Sequence, residues 1–220
     1  MAVPFKEKLK TLTSLFSNYA ELKSLLSLRH SGYLKDIGWF NAFSTRSSVD
    51  GNNNPIPWTT YPFIEFITLR LEKNQTVFEY GSGNSTLFYA SRVKNVATVE
   101  HDKNWYEKMK AQIPTNVHLI FKEEDTDGEY CRAITAENTK YDIIIVDAVD
   151  RVNCVKFSYK FLNEKGIIIL DDSDRTVYSE AITFLKGKDF KSLDFWGISP
   201  GYFNTKCTTI FYKDNNCLNI

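Results

Sequence analysis

Residues 76–84, TVFEYGSGN, place an acidic side chain next to two closely spaced glycines. The apolar residues before Glu79 are typical of a short strand, and the residues that follow, STLFYA, are typical of a helix. Gly81 and Gly83 let the backbone contact a ligand directly, because glycine has no Cβ. The first turn of the helix offers unpaired N–H groups and a partial positive charge to the same ligand. The stretch therefore predicts a small-molecule site outside the carboxyl end of a strand.

A second acidic residue, Glu100, lies near the end of the next predicted strand, residues 96–101. A carboxylate at the tip of the second strand of a strand–helix–strand unit can accept hydrogen bonds from both hydroxyls of a ribose. Several classes of nucleoside-binding enzyme share this feature. The two stretches together therefore predict a bound nucleoside without identifying it.

The glycine pattern narrows the choice of nucleoside. The dinucleotide fingerprint Gly-x-Gly-x-x-Gly needs a third glycine, and Thr86 occupies that position. A P-loop needs Gly-Lys-Ser or Gly-Lys-Thr after the turn, and this sequence lacks both. An NAD(P)-dependent oxidoreductase remains an alternative, weakened by the missing glycine.

The string EYGSGNS resembles motif I of the class I S-adenosylmethionine-dependent methyltransferases, (D/E)-x-G-x-G-x-(G/S). The resemblance implies S-adenosylmethionine (SAM) as the cofactor, with its cationic methionine end near the carboxylate at the turn. It implies the following cofactor-binding residues: Glu79, Gly81, Ser82, Gly83, Asn84, Ser85 and Glu100. One acid in the loop KEEDTDGEY, either Asp125 or Asp127, is expected to accept a hydrogen bond from the adenine amino group.

The candidate catalytic residues are Asp147 and His101. In the string IIIVDAVDR, Asp147 matches motif IV of the same superfamily, a position that lies near the transferred methyl group. Methyl transfer is an in-line displacement at an activated sulfonium, so the protein has to align the acceptor and sometimes remove its proton. A carboxylate beside the acceptor suits either task. His101 is either a group that reaches the cofactor or an acceptor hydroxyl, or a packing residue.

Three acids at adjacent predicted strand ends, Asp147, Asp171 and Asp172, are similar to the Asp…Asp-Asn arrangement of the catechol-type, magnesium-dependent O-methyltransferases. Three oxygen ligands with open water positions suit Mg²⁺. Here Asp172 stands in place of the asparagine, and Asp150 stands where that arrangement has a lysine. The alternative is that Asp171 and Asp172 cap the following helix or hydrogen-bond the substrate.

Strands and helices are predicted to alternate over residues 76–186. The nearly continuous Ile and Val runs at 142–147 and 167–171 are typical of parallel strands buried on both faces. This alternation implies an α/β fold with a doubly wound sheet and right-handed crossovers. The last two predicted strands, 190–196 and 208–212, have no helix between them and should form an antiparallel hairpin. A seven-stranded, mostly parallel sheet with such a hairpin resembles the class I methyltransferase core.

Two parts are predicted along the chain. Residues 1–58 form an N-terminal helical extension with an aromatic lid segment, and residues 59–220 form the SAM-binding methyltransferase domain. Apolar positions three or four apart at residues 5–28 predict an amphipathic helix or a broken pair. This element packs on the domain or on a second subunit in a homodimer, and a lipid-surface helix is the alternative. Residues 31–58, the lid segment, lose the periodicity but are rich in Trp and Phe, which favours a lid.

Composition restricts the partners. Lys and Arg number 27, and Asp and Glu also number 27, so the net charge is zero. Neither a nucleic acid nor an anionic membrane is expected as a partner, since both need a basic surplus. No apolar run approaches the roughly 20 residues of a membrane-spanning helix. The four cysteines have no C-x-x-C spacing, which predicts a reducing, cytoplasmic environment and neither a zinc site nor a redox pair.

The strings IPWTTYPFIEF, VFEYGSGNSTLFYA and VEHDKNWYEKM resemble a group of small bacterial-type methyltransferases that occur beside polysaccharide and glycan biosynthesis enzymes. This resemblance implies an O-methyltransferase whose acceptor is a hydroxyl of a sugar or another small molecule. Besides the oxidoreductase, the second alternative is a non-catalytic binding protein of the same fold. The acceptor-binding surface is expected in the lid segment and in the loop at residues 197–206.

Overall fold

The computed structural model describes residues 4–220. Residues 1–3, with which the predicted N-terminal extension begins, lie outside the described part of the chain. The helices of the described part are α1 (Phe5–Ser17), α2 (Tyr19–Ser27), α3 (Tyr33–Asp36), α4 (Trp39–Thr45), α5 (Tyr61–Thr68), α6 (Asn84–Ala90), α7 (Lys103–Lys110), α8 (Glu129–Arg132), α9 (Arg151–Ser158) and α10 (Ser179–Lys186). The strands are β1 (Thr76–Tyr80), β2 (Asn95–Glu100), β3 (Val117–Phe121), β4 (Tyr141–Val146), β5 (Leu162–Asp171), β6 (Lys191–Gly197) and β7 (Lys206–Tyr212).

Residues 5–28, predicted to form an amphipathic helix or a broken pair, form the pair α1 and α2. Asn18 separates them and accepts a hydrogen bond from the Glu21 N–H, which caps α2. Both helices keep large apolar side chains exposed: Phe5, Leu9, Phe16, Tyr19 and Leu26. Contact with a second subunit stays a prediction.

The seven strands form one sheet in the order β3-β2-β1-β4-β5-β7-β6. The first five strands pair in parallel, whereas β7 is antiparallel to both β5 and β6. The predicted doubly wound, mostly parallel sheet with a C-terminal antiparallel hairpin is therefore confirmed. The direction in which the chain crosses the sheet reverses between β1 and β4, and such a switch point is where α/β sheets bind ligands.

Each face of the sheet has its own hydrophobic core, because successive residues of a buried strand point to opposite faces. In β4, Ile144 belongs to the core that α8, α9 and α10 complete. Its neighbours Ile143 and Ile145 belong to the core that α5 and α6 complete. Trp39 of the lid segment is buried in this second core. The division of the chain at residue 58 stays a prediction.

The C-terminal hairpin brings the start of β7 to the edge at which the parallel strands end. Asp171 of β5 lies opposite Thr208 of β7. Because β7 runs antiparallel to β5, its first residue, Lys206, lies beyond that pair at the carboxyl edge. A residue near the C-terminus therefore reaches the same edge as Glu79 and Asp147.

Among residues 4–220, no helix is both long enough and apolar enough to cross a membrane. All four cysteines lie within this range, and their thiols are free. Three of them are buried, and Cys217 is partly buried.

Candidate active site

One cavity, with a volume of about 1040 Å³, lies at the carboxyl edge of the sheet around the switch point. Its lining comes from the ends of β1, β2, β4 and β5, from residues 45–48 and Trp58 of the lid segment, and from the loop that precedes β7. Small-molecule sites commonly enclose roughly 300–1,000 Å³. The cavity is therefore large enough for a nucleoside cofactor together with a second small molecule.

Gly81 brings the end of β1 against the end of β4. Its φ of +93° lies in the region that favours glycine. A Cβ at this position would lie 2.7 Å from the carbonyl oxygen of Asp147, which is closer than van der Waals contact allows. The Gly81 N–H also donates to the carbonyl oxygen of Val99 in β2 at 2.9 Å. The first glycine of the motif is thus required by the backbone geometry of the switch point.

Glu79 is a buried acid on the cavity lining, with 1% of its surface exposed. Its Oε2 accepts a hydrogen bond from Thr86 Oγ1 at 2.5 Å. Burial raises the pKa of Glu79 to about 8. Within the described chain, Glu79 has no salt bridge with a Lys, Arg or His side chain. The charged form of Glu79 therefore needs a cation that residues 4–220 do not supply.

Glu100 lies at the end of β2 and holds the turn that follows β1. Its Oε2 accepts hydrogen bonds from the Ser82 N–H at 3.0 Å and from the Ser82 hydroxyl at 2.7 Å. Its Oε1 accepts from the N–H groups of His101 and Asp102, both at 2.9 Å. A carboxylate offers about four lone-pair sites, and these four bonds occupy them. Of these four donors, only the Ser82 hydroxyl belongs to a side chain.

Two backbone N–H groups of the glycine turn are already hydrogen-bonded. The Ser82 N–H donates to Glu100, and the Gly83 N–H donates to Thr86 Oγ1 at 3.0 Å. The unpaired N–H groups were predicted for the first turn of the helix, which begins at Asn84, and that expectation stays a prediction. A pyrophosphate would also lie next to the buried acid Glu79. The turn therefore disfavours a dinucleotide.

Asn84 and Ser85, the remaining predicted cofactor residues of the motif, both line the cavity. The Asn84 side chain donates to the carbonyl oxygen of Ser48 at 2.7 Å and to Ser47 Oγ at 3.0 Å. These two bonds use its amide N–H groups. Asn84 therefore holds the lid segment against the glycine turn.

Asp125 and Asp127, the predicted adenine-binding candidates, do not line the cavity. Asp125 accepts hydrogen bonds from the N–H groups of Glu129 and Tyr130 at 2.6 and 3.0 Å, and so caps the start of α8. Asp127 forms a salt bridge with Arg132 at 3.0 Å. The acidic loop thus uses these side chains to fold itself, and neither is retained in the proposed site.

Trp105 of α7 lines the cavity beside the glycine turn. It was not among the site residues predicted from the sequence. Its indole N–H donates to the Ser82 carbonyl oxygen at 2.8 Å. Asp102 caps the helix by accepting the Trp105 N–H at 2.8 Å. About 38% of the surface of Trp105 is exposed, so part of its ring is accessible from the cavity.

His101, the second predicted catalytic residue, lies at the end of β2. Its Nδ1 is 3.2 Å from Glu100 Oε1, and its ring packs edge-on to Tyr130. Strand β1 lies between β2 and β4, so the two strand ends are about 10 Å apart at the usual strand spacing. The structure therefore places His101 on the Glu100 side of the cavity and away from Asp147.

Three carboxylates, here called the acid cluster (Asp147, Asp171 and Asp172), have oxygen atoms within 4.8 Å of one another. Arg151 at the start of α9 is buried next to them. Its Nη2 lies 3.1 Å from Asp147 Oδ1 and 3.3 Å from Asp172 Oδ2. Arg175, which is more exposed, lies 2.9 Å from Asp172 Oδ2. The acids at this end of the cavity are thus paired with cations of the chain itself.

Lys206 brings a further cation to the acid cluster. Its Nζ contacts Asp171 Oδ2, lies 3.0 Å from Asp172 Oδ1 and donates to the Trp58 carbonyl oxygen at 3.1 Å. Asp171 also accepts a hydrogen bond from Thr208 Oγ1 at 2.6 Å. Neither carboxylate caps the helical segments that follow, which have no side-chain cap hydrogen bond, so that alternative is wrong.

These contacts do not fit a divalent metal ion at the acid cluster. Such an ion needs carboxylate oxygens as ligands. Here Lys206 contacts oxygens of Asp171 and Asp172, and Arg151 contacts Asp147. The positive charge that Mg²⁺ would contribute is already present in side chains. The structure thus gives no support to the magnesium site that the resemblance implied.

The members of the acid cluster differ in access to the cavity. Burial raises the pKa of Asp147, and burial together with the charge of Asp147 raises the pKa of Asp171 to about 7. About 25% of the Asp147 side chain is exposed, against 1% for Asp171 and 7% for Asp172. Asp147 is therefore the acid of the cluster that a molecule in the cavity can contact.

No protein-family model and no curated protein matches the sequence. Solved structures do match. A precorrin-6y C5,15-methyltransferase from Geobacter metallireducens is 12% identical, with a TM-score of 0.56, over 70% of this chain and 87% of that chain. An rRNA methylase from Streptococcus thermophilus is 16% identical, with a TM-score of 0.52, over 69% of this chain and 96% of that chain. A proposed caffeoyl-CoA O-methyltransferase from Staphylococcus aureus is 15% identical, with a TM-score of 0.54, over 87% of this chain and 98% of that chain.

These likenesses concern the fold. The chain has the Rossmann-like architecture of class I methyltransferases, with the sheet order and terminal hairpin described above. At such low identity a shared fold does not fix the reaction or the acceptor. Both have to be inferred from the residues at the carboxyl edge.

Proposed function

We propose that the chain is a SAM-dependent methyltransferase whose acceptor is a hydroxyl group of a sugar or another small molecule. The observation that carries this proposal is one continuous cavity with two kinds of lining. Its β1 and β2 side contains Glu79, the glycine turn and Glu100. Its β4 side contains Asp147. A nucleoside with a cationic tail suits the first side, and an acceptor that must lose a proton suits the second.

Glu79 is the proposed partner of the SAM amino group. A buried carboxyl with a raised pKa becomes a stable carboxylate when an ammonium lies beside it. Glu100 is the proposed partner of the ribose, with one ribose hydroxyl in place of the Ser82 hydroxyl. The partly exposed ring of Trp105 offers an apolar face for the adenine. The same cavity wall thus provides a contact for each part of the cofactor.

Methyl transfer needs an aligned acceptor and a group that takes its proton. The acceptor oxygen forms a bond to the methyl carbon as the carbon–sulfur bond breaks, and the sulfonium leaves as the neutral thioether S-adenosylhomocysteine (SAH). The hydroxyl proton passes to the carboxylate of Asp147. Burial raises the pKa of Asp147, which makes it a better base than an exposed aspartate. Arg151 fixes one of its oxygens and leaves the side chain facing the cavity.

The proposed acceptor class rests on an aromatic wall. Trp58 and Tyr202 line the cavity with ring centroids 5.8 Å apart, and their exposed fractions are 41% and 53%. The Trp58 indole N–H donates to the Pro200 carbonyl oxygen at 2.7 Å, which holds the ring in place. Flat apolar rings among polar groups suit a hydroxylated ring, such as a sugar or a phenol.

Equilibrium titration tests the cofactor assignment. We expect SAM and SAH to bind and NAD(H) to show no saturable binding under the same conditions. Saturable NAD(H) binding without SAM binding would end the methyltransferase proposal. Labelled SAM, offered with pools of sugars, phenols, peptides and nucleic acids, then identifies the acceptor. Transfer only to nucleic acid or peptide would contradict the proposed acceptor class.

A further inference from the structure

Lys206 stands where the catechol-type resemblance placed a metal ion. Its Nζ contacts one oxygen of Asp171, and it lies 3.0 Å from one oxygen of Asp172. Only 19% of the Lys206 side chain is exposed, so the ammonium is largely withdrawn from water. It reaches this position from β7, because β7 runs antiparallel to β5 and therefore starts at the carboxyl edge.

The charges around the acid cluster balance without an ion. Its three carboxylates face the side chains of Arg151, Arg175 and Lys206. Burial of several carboxylates without compensation would be strongly unfavourable. Arg151 approaches the cluster from α9 and contacts Asp147 and Asp172, whereas Lys206 approaches from β7 and contacts Asp171 and Asp172.

No lysine of the loop after β4 takes part in this arrangement. The position three residues after Asp147 is Asp150. Asp150 Oδ2 accepts the Asp127 N–H at 2.9 Å, and its Oδ1 accepts the Asn153 side chain at 2.8 Å. Asp150 is thus engaged with the acidic loop. Among residues 4–220, the lysine that forms salt bridges with the acid cluster is Lys206.

We propose that Lys206 is a built-in replacement for a divalent metal ion at the acid cluster, and that the chain therefore does not take up Mg²⁺ or a similar ion there. The ammonium has three N–H donors. Two of them donate to Asp171 and to the Trp58 carbonyl oxygen, and Nζ forms an ion pair with Asp172 Oδ1 at 3.0 Å. An ammonium has no coordination positions, so Lys206 does not bind two acceptor oxygens as a metal ion would.

If the proposed function holds, the replacement of the metal ion by Lys206 also limits how an acceptor can bind. A metal ion can bind two neighbouring oxygens of an acceptor at open positions. With those positions absent, the acceptor needs only one hydroxyl, next to Asp147, and a face that packs on Trp58. Lys206 acts as a positioning residue, because it ties the Trp58 backbone to the end of β5.

Mn²⁺ binding tests the replacement without any need for activity. We would measure it by electron paramagnetic resonance in the full-length wild type, in Lys206→Ala and in Lys206→Arg. Removal of the ammonium leaves carboxylate oxygens without a partner, so Lys206→Ala should bind Mn²⁺ at least about tenfold more tightly than the wild type. Lys206→Arg keeps the charge and should bind as weakly as the wild type. The double variant Lys206→Ala/Asp172→Asn should bind Mn²⁺ as weakly as the wild type.

Thermal melts establish which variants fold, and Lys206→Gln replaces the alanine variant if the latter does not. Mn²⁺ should raise the melting temperature of the alanine or glutamine variant but not that of the wild type. Wild-type binding as tight as that of the variant would overturn the proposal, and so would a folded variant with no gain. A failure to bind SAM would instead count against the proposed function, because the Mn²⁺ result does not depend on it.

Discussion

Glu79 lies near the end of β1 and Asp171 at the end of β5, with β4 between the two strands. The two acids are equally buried, each with 1% of its surface exposed. They differ in what surrounds the carboxyl group. Asp171 contacts the ammonium of Lys206, whereas Glu79 accepts a hydrogen bond from the hydroxyl of Thr86. One side of the cavity therefore contains its own cations, and the other side leaves a buried acid without one.

This difference indicates that the Asp171 side of the cavity is structural and that the Glu79 side is a ligand site. A buried charge without a partner is unfavourable, so the group takes up a proton or awaits an opposite charge. Burial raises the pKa of Glu79 to about 8, which favours the first outcome in the free protein near neutral pH. A bound ammonium would produce the second. The cations at Asp171 and Asp172 instead fix the side chains on the acceptor side of the cavity in the ligand-free protein.

The largest expected effect is a loss of turnover on substitution of Asp147, the accessible acid on the side of the cavity that contains its own cations. Asp147→Asn should lower kcat by about 10²- to 10⁴-fold, because the amide cannot take the acceptor proton. The affinity for SAM should stay within about twofold, since Glu79 and Glu100 are intact. Steady-state kinetics on the identified acceptor, with SAM titration of the same preparation, measures both.

The control for Asp147 is Asp102→Asn, which changes another acid on the cavity lining and keeps a side chain that can cap α7. It should retain kcat. Native turnover in Asp147→Asn would show that Asp147 does not act as the base. Binding of SAM without turnover by any acceptor in the wild type would favour the non-catalytic alternative.

A smaller effect is expected from Glu79→Gln, which tests the uncompensated side. The amide keeps the shape of the side chain but cannot pair with an ammonium, so SAM affinity should fall about 10- to 100-fold. Methylthioadenosine, which lacks the amino-acid tail, serves as the matched ligand. Its affinity should be the same for the wild type and the variant. An equal loss for both ligands would mean that Glu79 supports the turn and does not contact the amine.

Glu79 should also make the stability of the ligand-free protein depend on pH. The pKa of Glu79 is raised from 4.5 to about 8 in the folded chain, so unfolding releases a proton between these values. The contribution of Glu79 to the free energy of unfolding is therefore complete below pH 4.5 and declines as the pH rises to about 8. Melting temperatures should fall less over this range in Glu79→Gln than in the wild type. Identical falls would contradict the raised pKa.

The smallest effect concerns the aromatic wall. Tyr202→Leu should raise the KM for the acceptor by about 2- to 10-fold, because a ring face is lost, and should leave SAM affinity unchanged. Tyr202→Phe keeps the ring and should behave as the wild type. A rise in KM in the phenylalanine variant would assign the contact to the hydroxyl and not to the ring.

Much of the fold could be predicted because local patterns determine it. The strands predicted at residues 96–101 and 142–147 are found one residue earlier, at Asn95–Glu100 and Tyr141–Val146. Glycine spacing identified the turn after β1, where Gly81 has a backbone geometry that other residues adopt only with strain. The terminal hairpin followed from the missing helix between its strands.

The rest of the candidate site depends on contacts between distant parts of the chain. Lys206 has no motif around it, and its role requires both the antiparallel direction of β7 and the position of Asp171. Asp125 and Asp127 are indistinguishable in sequence from ligand-binding acids, yet they bind their own loop. Trp105 has helical spacing, and only the turn beside it makes its ring part of the cavity.

A crystal structure of the SAH complex would test the contrast between the two sides most directly, because SAH keeps the amino group and does not react. We predict that its amine nitrogen lies about 3 Å from a carboxylate oxygen of Glu79, with Lys206 still on Asp171 and Asp172. An amine bound at Asp171 and Asp172 with Lys206 displaced, or a Glu79 carboxyl without any ligand contact, would contradict the account.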